Sequence, residues 1–199
     1  MRIIIGLGNP GPRFAKTRHN FGYWVVDALA ASRGVSYSPG KGDYVMGIQE
    51  AGDVVLLKPT AFMNESGIPI REAMAFFQTV PEDILVVFDD IDLPLGTLRF
   101  RPGGGAGGHK GMSSIIYHLE TEDFPRLRVG IATDAPLRPS EQYVLEPFRP
   151  RDEAMVSVIL SQAVEGINHF LEHGIEDTMA RFNMHLTETG EEERKAQLN

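Results

Sequence analysis

Residues 84–88 (ILVVF) form an unbroken apolar run, which constrains the fold more than any other feature of this sequence. A half-exposed strand alternates apolar and polar residues, whereas a strand buried on both faces of a parallel sheet reads as a continuous apolar run. Residues 2–7 (RIIIGL) have a similar character and predict a second buried strand. Such strands need helices on both faces of the sheet, which indicates an α/β protein.

Segments with helical and strand-like patterns alternate along the rest of the chain. Apolar residues at helical spacing predict helices over residues 20–33, 66–78, 111–119, 151–173 and 175–183, with Gly166 as a point where the fourth could break. Strand patterns occupy residues 43–49, 53–57, 97–101 and 126–132. We therefore expect a single three-layer α/β domain, in which helices flank a twisted, mostly parallel mixed β-sheet. The turn sequence EAG at residues 50–52 adds one antiparallel hairpin to this sheet.

Composition excludes several classes of protein. The 199 residues include no cysteine, which excludes disulfide scaffolds, thiolate zinc sites, iron–sulfur clusters and cysteine nucleophiles. No segment approaches 18 consecutive apolar residues, and the first residues lack the apolar run of a signal peptide. We therefore expect a cytoplasmic protein with no membrane partner. One folded domain should cover residues 1–186, followed by a polar, disordered tail over residues 187–199.

Two glycine-rich segments resemble nucleotide-binding loops. Residues 6–11 (GLGNPG) match the dinucleotide pattern G-x-G-x-x-G after a strand, but Pro10 and Pro12 interrupt the helix that this pattern requires. The acidic residue expected about 20 positions further on is also missing. Residues 103–110 (GGGAGGHK) lack the Gly-Lys-Ser/Thr order of a phosphate-binding loop. These mismatches disfavour a nucleotide-dependent dehydrogenase, which stays an alternative. We predict no cofactor.

Several polar residues follow the predicted strands. His19 lies beside the N-terminus of the first predicted helix, where the helix dipole favours a neutral imidazole that can act as a general base. Asp89 directly follows the central strand and could orient that imidazole, which leaves water as the nucleophile. Asn9 and Asn64 could donate hydrogen bonds to a developing oxyanion. Each residue also has a structural alternative, as a helix cap or a turn residue.

Taken jointly, six motifs resemble those of the bacterial peptidyl-tRNA hydrolase family. They are GLGNPG (6–11), TRHN-G (17–22), KPT-FMN-SG (58–67), DD-DLP-G (89–96), GGGAGGHKG (103–111) and RLRVGI (126–131). The resemblance extends from Ile3 to about Arg181, and it identifies the folded domain as catalytic. It implies hydrolysis of the ester between a peptide and the terminal ribose of tRNA, without a metal or a cofactor. We expect a monomer.

The resemblance also implies roles for residues of the catalytic centre. His19 matches the catalytic base of the family, and Asp89 matches the carboxylate that polarises this base. Asn9 and Asn64 match the amides that hold the substrate and the water. Met63 is implied to line the site.

Further residues are implied to contact the tRNA or the substrate. Arg99 and Arg101 fall where the family carries basic residues that face the acceptor stem of tRNA. Arg128 falls where the family has an arginine that binds the terminal phosphate. Two positions depart from the family. Lys110 replaces a frequent Asn and could contact phosphate or the oxyanion, and Phe14 replaces a frequent Tyr and could still stack against a ribose or a base.

The net charge of −8 argues at first against a nucleic-acid partner. Residues 1–140, however, hold 14 Lys and Arg against 15 Asp and Glu, whereas residues 141–199 hold 5 against 12. We therefore expect a local phosphate-binding face near the motifs, formed by Arg13, Lys16, Arg18, Arg99, Arg101, Lys110, Arg126 and Arg128. A non-catalytic RNA-binding relative of the same fold stays the alternative. No metal site is predicted, because His109 and His118 lack the spacing of metal ligands.

Overall fold

The structure, a computed structural model, describes residues 1–49, 53–135, 139–186 and 192–193, the last two as backbone only. Its strands are β1 (Arg2–Gly6), β2 (Ser38–Pro39), β3 (Tyr44–Ile48), β4 (Val54–Pro59), β5 (Ile84–Pro94), β6 (Thr97–Arg101), β7 (Arg126–Ala132), β8 (Met184–Leu186) and β9 (Glu192–Glu193). Its α-helices are α1 (Phe21–Ser32), α2 (Gly67–Phe77), α3 (Lys110–Leu119), α4 (Ser140–Val144) and α5 (Glu153–Phe182). Short 3-10 turns cover Arg18–Asn20, Met63–Glu65, Pro81–Asp83 and Pro150–Asp152.

The strands form one mixed sheet in the order β2-β3-β4-β1-β5-β7-β6-β8-β9. Parallel pairs lie at its centre, where β1 joins β4 and β5, and β5 joins β7. Antiparallel pairs lie toward both edges and include the predicted hairpin of β3 and β4. The predicted α/β fold class is confirmed. The predicted turn at residues 50–52 and most of the predicted tail lie outside the described residues, and the domain boundaries stay predictions.

Two hydrophobic cores lie on the two faces of the sheet. Alternate residues of the central strands belong to different cores: Ile4 and Val87 pack with α1 and α5, whereas Ile5 and Val86 pack with α2 and α3. Each central strand therefore buries both of its faces, as its continuous apolar sequence predicts.

The strand that begins at residue 84 is longer than predicted. The prediction ends it at residue 88, but β5 continues to Pro94 because Asp89 and Asp90 still pair with Val129 and Gly130 of β7. The parallel pairing of β5 with β1 ends at the pair formed by Gly6 and Val87. Asp89 therefore lies beyond the carboxyl end of β1, where open α/β sheets bind ligands.

The first glycine of the GLGNPG segment allows α1 to pack closely against the sheet. A Cβ atom on Gly6 would collide with the backbone of Gly22 in α1, and one on Gly22 would collide with the carbonyl oxygen of Val87. These glycines let the start of α1 touch the ends of β1 and β5. The first α-helix begins at Phe21, well beyond the motif, so no helix opens inside the motif as the dinucleotide pattern requires.

The C-terminal helical region confirms one prediction and contradicts another. The predicted break at Gly166 is wrong: this residue is helical, and its missing side chain leaves room for the ring of Phe100. Non-helical backbone occurs instead at Gly174 (φ 79°), between the two predicted helices. By length and composition residues 150–182 could cross a membrane. In this fold, one side of α5, which includes Ile159 and Ile167, is buried in the core.

Candidate functional site

The loops at the carboxyl ends of the central strands enclose a cavity of about 460 Å³. Its walls include every residue predicted for catalysis or substrate binding, namely Asn9, Phe14, His19, Met63, Asn64, Asp89 and Lys110. These residues come from four separate segments of the chain. The fold therefore brings the predicted catalytic and substrate-binding residues to one place.

His19 and Asp89 form a buried pair. The Nδ1 atom of His19 lies 2.9 and 3.0 Å from the two carboxylate oxygens of Asp89. Burial by itself would raise the pKa of Asp89, but the two imidazoles beside it, His19 and His109, outweigh burial and hold this pKa well below its ordinary value. The carboxylate is thus charged, and it accepts a hydrogen bond from Nδ1 of His19. The other ring nitrogen, Nε2, has no hydrogen-bond partner among the described residues.

His109 is a functional candidate that the sequence analysis missed. Its Nδ1 accepts a hydrogen bond from the backbone N–H of Met112 and so caps α3, whereas its Nε2 lies 3.2 Å from Oδ1 of Asp89. Because Nδ1 accepts, the ring proton sits on Nε2 and points at the carboxylate. Asp89 thus receives hydrogen bonds from two imidazoles. The Gly-Gly-His sequence before a predicted helix was the available signal.

Two neighbours hold Asn9, and the Nδ2 end of its amide has no hydrogen-bond partner within the part of the chain that the structure describes. Its Oδ1 accepts a hydrogen bond from the backbone N–H of Met63 at 2.9 Å. Asn20, also missed by the sequence analysis, bonds both backbone polar groups of Asn9, at 2.8 and 3.0 Å. The Nδ2 group of Asn9 is therefore the remaining donor of a side chain that lines the cavity.

The remaining substrate-site candidates lie around the cavity mouth. Asn64 is exposed in a 3-10 turn and caps no helix. Phe14 packs edge-on against Phe62, with ring centroids 6.5 Å apart. Lys110 begins α3, and its Nζ lies 3.8 Å from Oε1 of Glu141 in α4. Both of these charged side chains are mostly exposed, so the pair is weak and leaves Lys110 available to a ligand.

Three predicted RNA-binding arginines share one face of the sheet. Arg99 pairs in register with Arg128 across β6 and β7, and Arg101 lies two residues further along β6. Partial burial lowers the pKa of Arg99, and the charges of Arg101 and Arg128 lower it further. Arg128 also bonds Asp90 through its Nε at 2.5 Å. The face therefore keeps a surplus of positive charge.

Two arginines of the predicted phosphate-binding face belong to the interior, which corrects that prediction. Arg18 is buried and donates to the backbone carbonyl oxygens of Tyr143 and Glu146. Arg126 is buried and donates to carbonyl oxygens of the glycine-rich loop and of Glu122. Neither guanidinium can reach a phosphate on the surface.

The structure brings together three groups that could ligate a metal, although their sequence spacing gives no sign of it. Ring nitrogens of His19 and His109 and a carboxylate oxygen of Asp89 all lie within 4.8 Å of one another. The ring nitrogens that face the carboxylate are hydrogen-bonded to it. A metal ion would have to replace both hydrogen bonds, so the arrangement fits a hydrogen-bonded network of two imidazoles around a carboxylate better than a ligand set.

Comparison with known proteins gives consistent results. A family model described as peptidyl-tRNA hydrolase matches residues 3–192. The peptidyl-tRNA hydrolase of Symbiobacterium thermophilum is 46% identical over 186 residues, covering 92% of this chain and 98% of its own. That of a Synechocystis species is 45% identical over 185 residues, covering 92% and 95%.

A solved structure has the same architecture. The crystal structure of peptidyl-tRNA hydrolase from Acinetobacter baumannii superposes with a TM-score of 0.86 at 31% identity. The superposition covers 93% of this chain and 95% of the other. The similarity therefore extends over nearly the whole chain.

Proposed function

We propose, because the chain belongs to the peptidyl-tRNA hydrolase family, that it hydrolyses the ester bond between the peptide and the tRNA of peptidyl-tRNA. The products are a free peptide and a reusable tRNA. The observation that carries the mechanism is the His19–Asp89 pair, in which Nδ1 is engaged and Nε2 is available inside a cavity. Ester hydrolysis needs a base for water and donors for an oxyanion, and this site offers both.

In the proposed reaction, His19 acts as the general base. Its Nε2 takes a proton from a water molecule while the water oxygen attacks the ester carbonyl carbon. Asp89 holds the ring in the tautomer that leaves Nε2 unprotonated, and it stabilises the imidazolium that forms. The tetrahedral intermediate then collapses, the bond between the carbonyl carbon and the ribose oxygen breaks, and His19 returns its proton to that ribose oxygen, which becomes a hydroxyl.

Two amides are proposed to stabilise the developing charge and to hold the substrate. Nδ2 of Asn9 is the donor of a side chain fixed by Met63 and Asn20, and such a preorganised donor needs no reorientation during the reaction. Asn64, at the exposed rim, is assigned to the substrate. Met63 is buried against this wall, Phe14 offers a ring for stacking, and Lys110 offers a cation at the cavity mouth.

The test of the function is a comparison of two substrates. We expect this protein to release the N-acetylamino acid from an N-acetylated aminoacyl-tRNA, which carries a peptide-like amide, and to act much more slowly on the matching free aminoacyl-tRNA. Release should continue unchanged in excess EDTA, because no step of the proposed reaction uses a metal. Binding without release would instead support the non-catalytic RNA-binding alternative, and loss of activity in EDTA that zinc restores would assign His19, Asp89 and His109 to a metal.

For RNA recognition, we assign the face of Arg99, Arg101 and Arg128 to the tRNA, with Arg128 at the terminal phosphate. Replacing Arg101 or Arg128 with alanine is expected to lower the slope of log affinity against log salt by about 0.7 to 0.9 each, since each contact releases about one counterion. The measurement is binding of deacylated tRNA at several salt concentrations. Arg71→Ala is the matched control, because this arginine is exposed on α2 and is not one of the arginines of the proposed face. An unchanged slope in both variants would mean that RNA binds another face.

The remaining expectations concern the state of the enzyme. The proposed role in peptide release and tRNA recycling places it in translation, including the rescue of stalled ribosomes, and in the cytoplasm. The catalytic residues all come from one chain, so we expect the monomer to be active. Sedimentation at the assay concentration checks the oligomeric state.

A further inference from the structure

Residues 102–125, which connect β6 to β7, carry the glycine-rich loop and α3; we call them the α3 segment. Arg101 and Arg126 flank the segment and pair in register across the two antiparallel strands, so its two ends lie side by side. Part of the segment lines the catalytic cavity, and its His109 contacts Asp89. The position of His109 therefore depends on what holds the α3 segment to the sheet.

The glycine-rich loop at the start of the α3 segment is restrained little by packing. Gly104, Gly107 and Gly108 have positive φ angles of 133°, 56° and 77°. A Cβ atom on any of them would meet no atom of the described residues within 4 Å, apart from the chain neighbours of that glycine. Glycine also loses more backbone freedom on folding than any other residue. A loop of this composition therefore needs hydrogen bonds from other parts of the chain to keep one conformation.

Arg126 supplies such hydrogen bonds to both ends of the α3 segment. It is buried, and its Nη1 donates to the backbone carbonyl oxygens of Gly104 and Gly105 near the beginning of the segment. Near the end, its Nη2 donates to the carbonyl oxygen of Glu122 at 2.7 Å, and its Nε donates to that of Phe124 at 3.3 Å. The guanidinium also lies 4.3 Å from the centre of the Phe124 ring. One side chain thus ties the two ends of the segment together through their backbones.

We propose that Arg126 is a positioning residue for catalysis: it fixes the α3 segment so that His109 holds the carboxylate of Asp89 in its orientation toward His19. This inference rests on the proposed function. His19 contacts both oxygens of Asp89, whereas His109 contacts one, at 3.2 Å, so a small shift of the segment breaks the His109 contact. A carboxylate that loses this donor can rotate away from the productive orientation, which lowers the rate more than the affinity for substrate.

The variant that tests this proposal is Arg126→Lys. Lysine keeps the positive charge, but its single ammonium cannot reach carbonyl oxygens at both ends of the segment as the guanidinium does. We expect kcat for an N-acetylated aminoacyl-tRNA to fall by about tenfold, as a loss of positioning does. Arg126 is not among the described residues that line the cavity, so KM and the affinity for deacylated tRNA should stay within about twofold of the parent. Weaker tRNA binding with an unchanged kcat would overturn the proposal and assign Arg126 to the RNA.

Arg2→Lys is the matched control for general destabilisation. Arg2 also donates to two backbone carbonyl oxygens, those of Phe170 and Leu171, at 2.9 and 2.7 Å, and its guanidinium lies 5.2 Å from the centre of the Phe170 ring. It begins β1, at the end of that strand opposite the catalytic cavity. Its variant should lower the thermal stability and leave kcat unchanged. An equal loss of kcat in the two lysine variants would overturn the proposal.

A double substitution shows whether the effect of Arg126 passes through His109. In His109→Ala, the contact with Asp89 that Arg126 secures has already been removed. Adding Arg126→Lys to His109→Ala should therefore lower kcat by less than about twofold, although the same change lowers it about tenfold in the parent. A further tenfold loss in the double variant would overturn the proposed route through His109.

Hydrogen exchange distinguishes a failure of this inference from a failure of the proposed function. The backbone amides of Gly104 and His109 donate to the carbonyl oxygens of Glu122 and Ala106. Arg126→Lys should speed the exchange of both amides by at least about tenfold, and Arg2→Lys should not. Unchanged exchange in a folded Arg126→Lys overturns the inference whatever the activity, whereas a parent protein without hydrolase activity contradicts the proposed function.

A milder variant keeps the test decisive if Arg126→Lys does not fold. Phe124→Leu removes the ring beside the guanidinium and leaves Arg126 in place. It should speed the exchange of the same two amides and lower kcat, each by a smaller factor of about two to three. Parental exchange and parental kcat in Phe124→Leu would overturn the proposal.

Discussion

Replacing His19 with alanine is expected to reduce kcat for peptidyl-tRNA hydrolysis by about 10³-fold, within the range that a general base contributes. The variant keeps the oxyanion donors and the RNA-binding arginines, and it loses only the group that takes the proton from water. The affinity for tRNA should therefore change little. The measurement is single-turnover release of peptide, with the affinity for deacylated tRNA determined in parallel.

A matched control separates catalysis from folding in this experiment. His118 lies on α3 outside the catalytic cavity and bonds the carbonyl oxygen of Ser114, so His118→Ala should retain parental activity. Thermal unfolding of both variants checks the fold. Turnover of His19→Ala close to that of the parent would contradict the proposed mechanism, whatever its effect on stability.

Replacing Asp89 with asparagine is expected to reduce kcat by on the order of 10³-fold, because the neutral amide no longer orients the base. In the parent, the carboxylate accepts hydrogen bonds from both His19 and His109. An asparagine offers one acceptor and one donor, so one of the two rings must turn or change tautomer. If that ring is His19, its Nε2 becomes protonated and can no longer accept the proton of water.

Asp83→Asn is the matched control for this change, since Asp83 precedes the opposite end of the same strand. It should leave kcat within about twofold of the parent, as surface substitutions away from a site do. A rate for Asp89→Asn equal to that of Asp83→Asn would mean that the carboxylate does not act in the reaction. The pH–rate profile should also separate them, because only Asp89→Asn alters the environment of the base.

The pH dependence of stability gives a second readout for Asp89. Its pKa in the folded protein lies below the ordinary value of 3.8, so ionisation of this carboxyl stabilises the folded state. This contribution is fully present above the unfolded pKa and is lost as the pH falls through the folded one. The free energy of unfolding of the parent, minus that of Asp89→Asn, should therefore fall on acidification below about pH 4. Urea unfolding at several pH values measures it, and a pH-independent difference would contradict the assigned pKa.

Local patterns were sufficient for most of the fold. The apolar runs that became β1 and β5 and the helical spacing of α1, α2 and α3 each lie within one segment, and periodicity is a property of a segment. The α-helix and the strands that were missed, α4, β2, β8 and β9, have between two and five residues each. Elements this short contain fewer than two periods of their pattern, so no repeat can be recognised in them. The strand β8 forms because it pairs with β6, a distant segment of the chain.

The candidate site shows a similar division. His19 and Asp89 could be predicted because their chemistry and their places after a loop and a strand are visible in the sequence. Asn20 and His109 were missed, because their roles in the site depend on contacts with residues that are distant in the sequence. The amide of Asn20 holds the backbone of Asn9, and the ring of His109 bridges a helix N-terminus and the carboxylate of Asp89.

By itself, the sequence determined the fold class, the buried strands and the set of polar residues that the catalytic cavity collects. Only the tertiary structure decided which cations remain available to a ligand. Arg18 and Arg126 are buried against backbone carbonyl oxygens of other segments, whereas Arg99 and Arg101 remain on a sheet face. Every residue has a backbone carbonyl group, so the sequence does not show which of these carbonyls a distant arginine will bind.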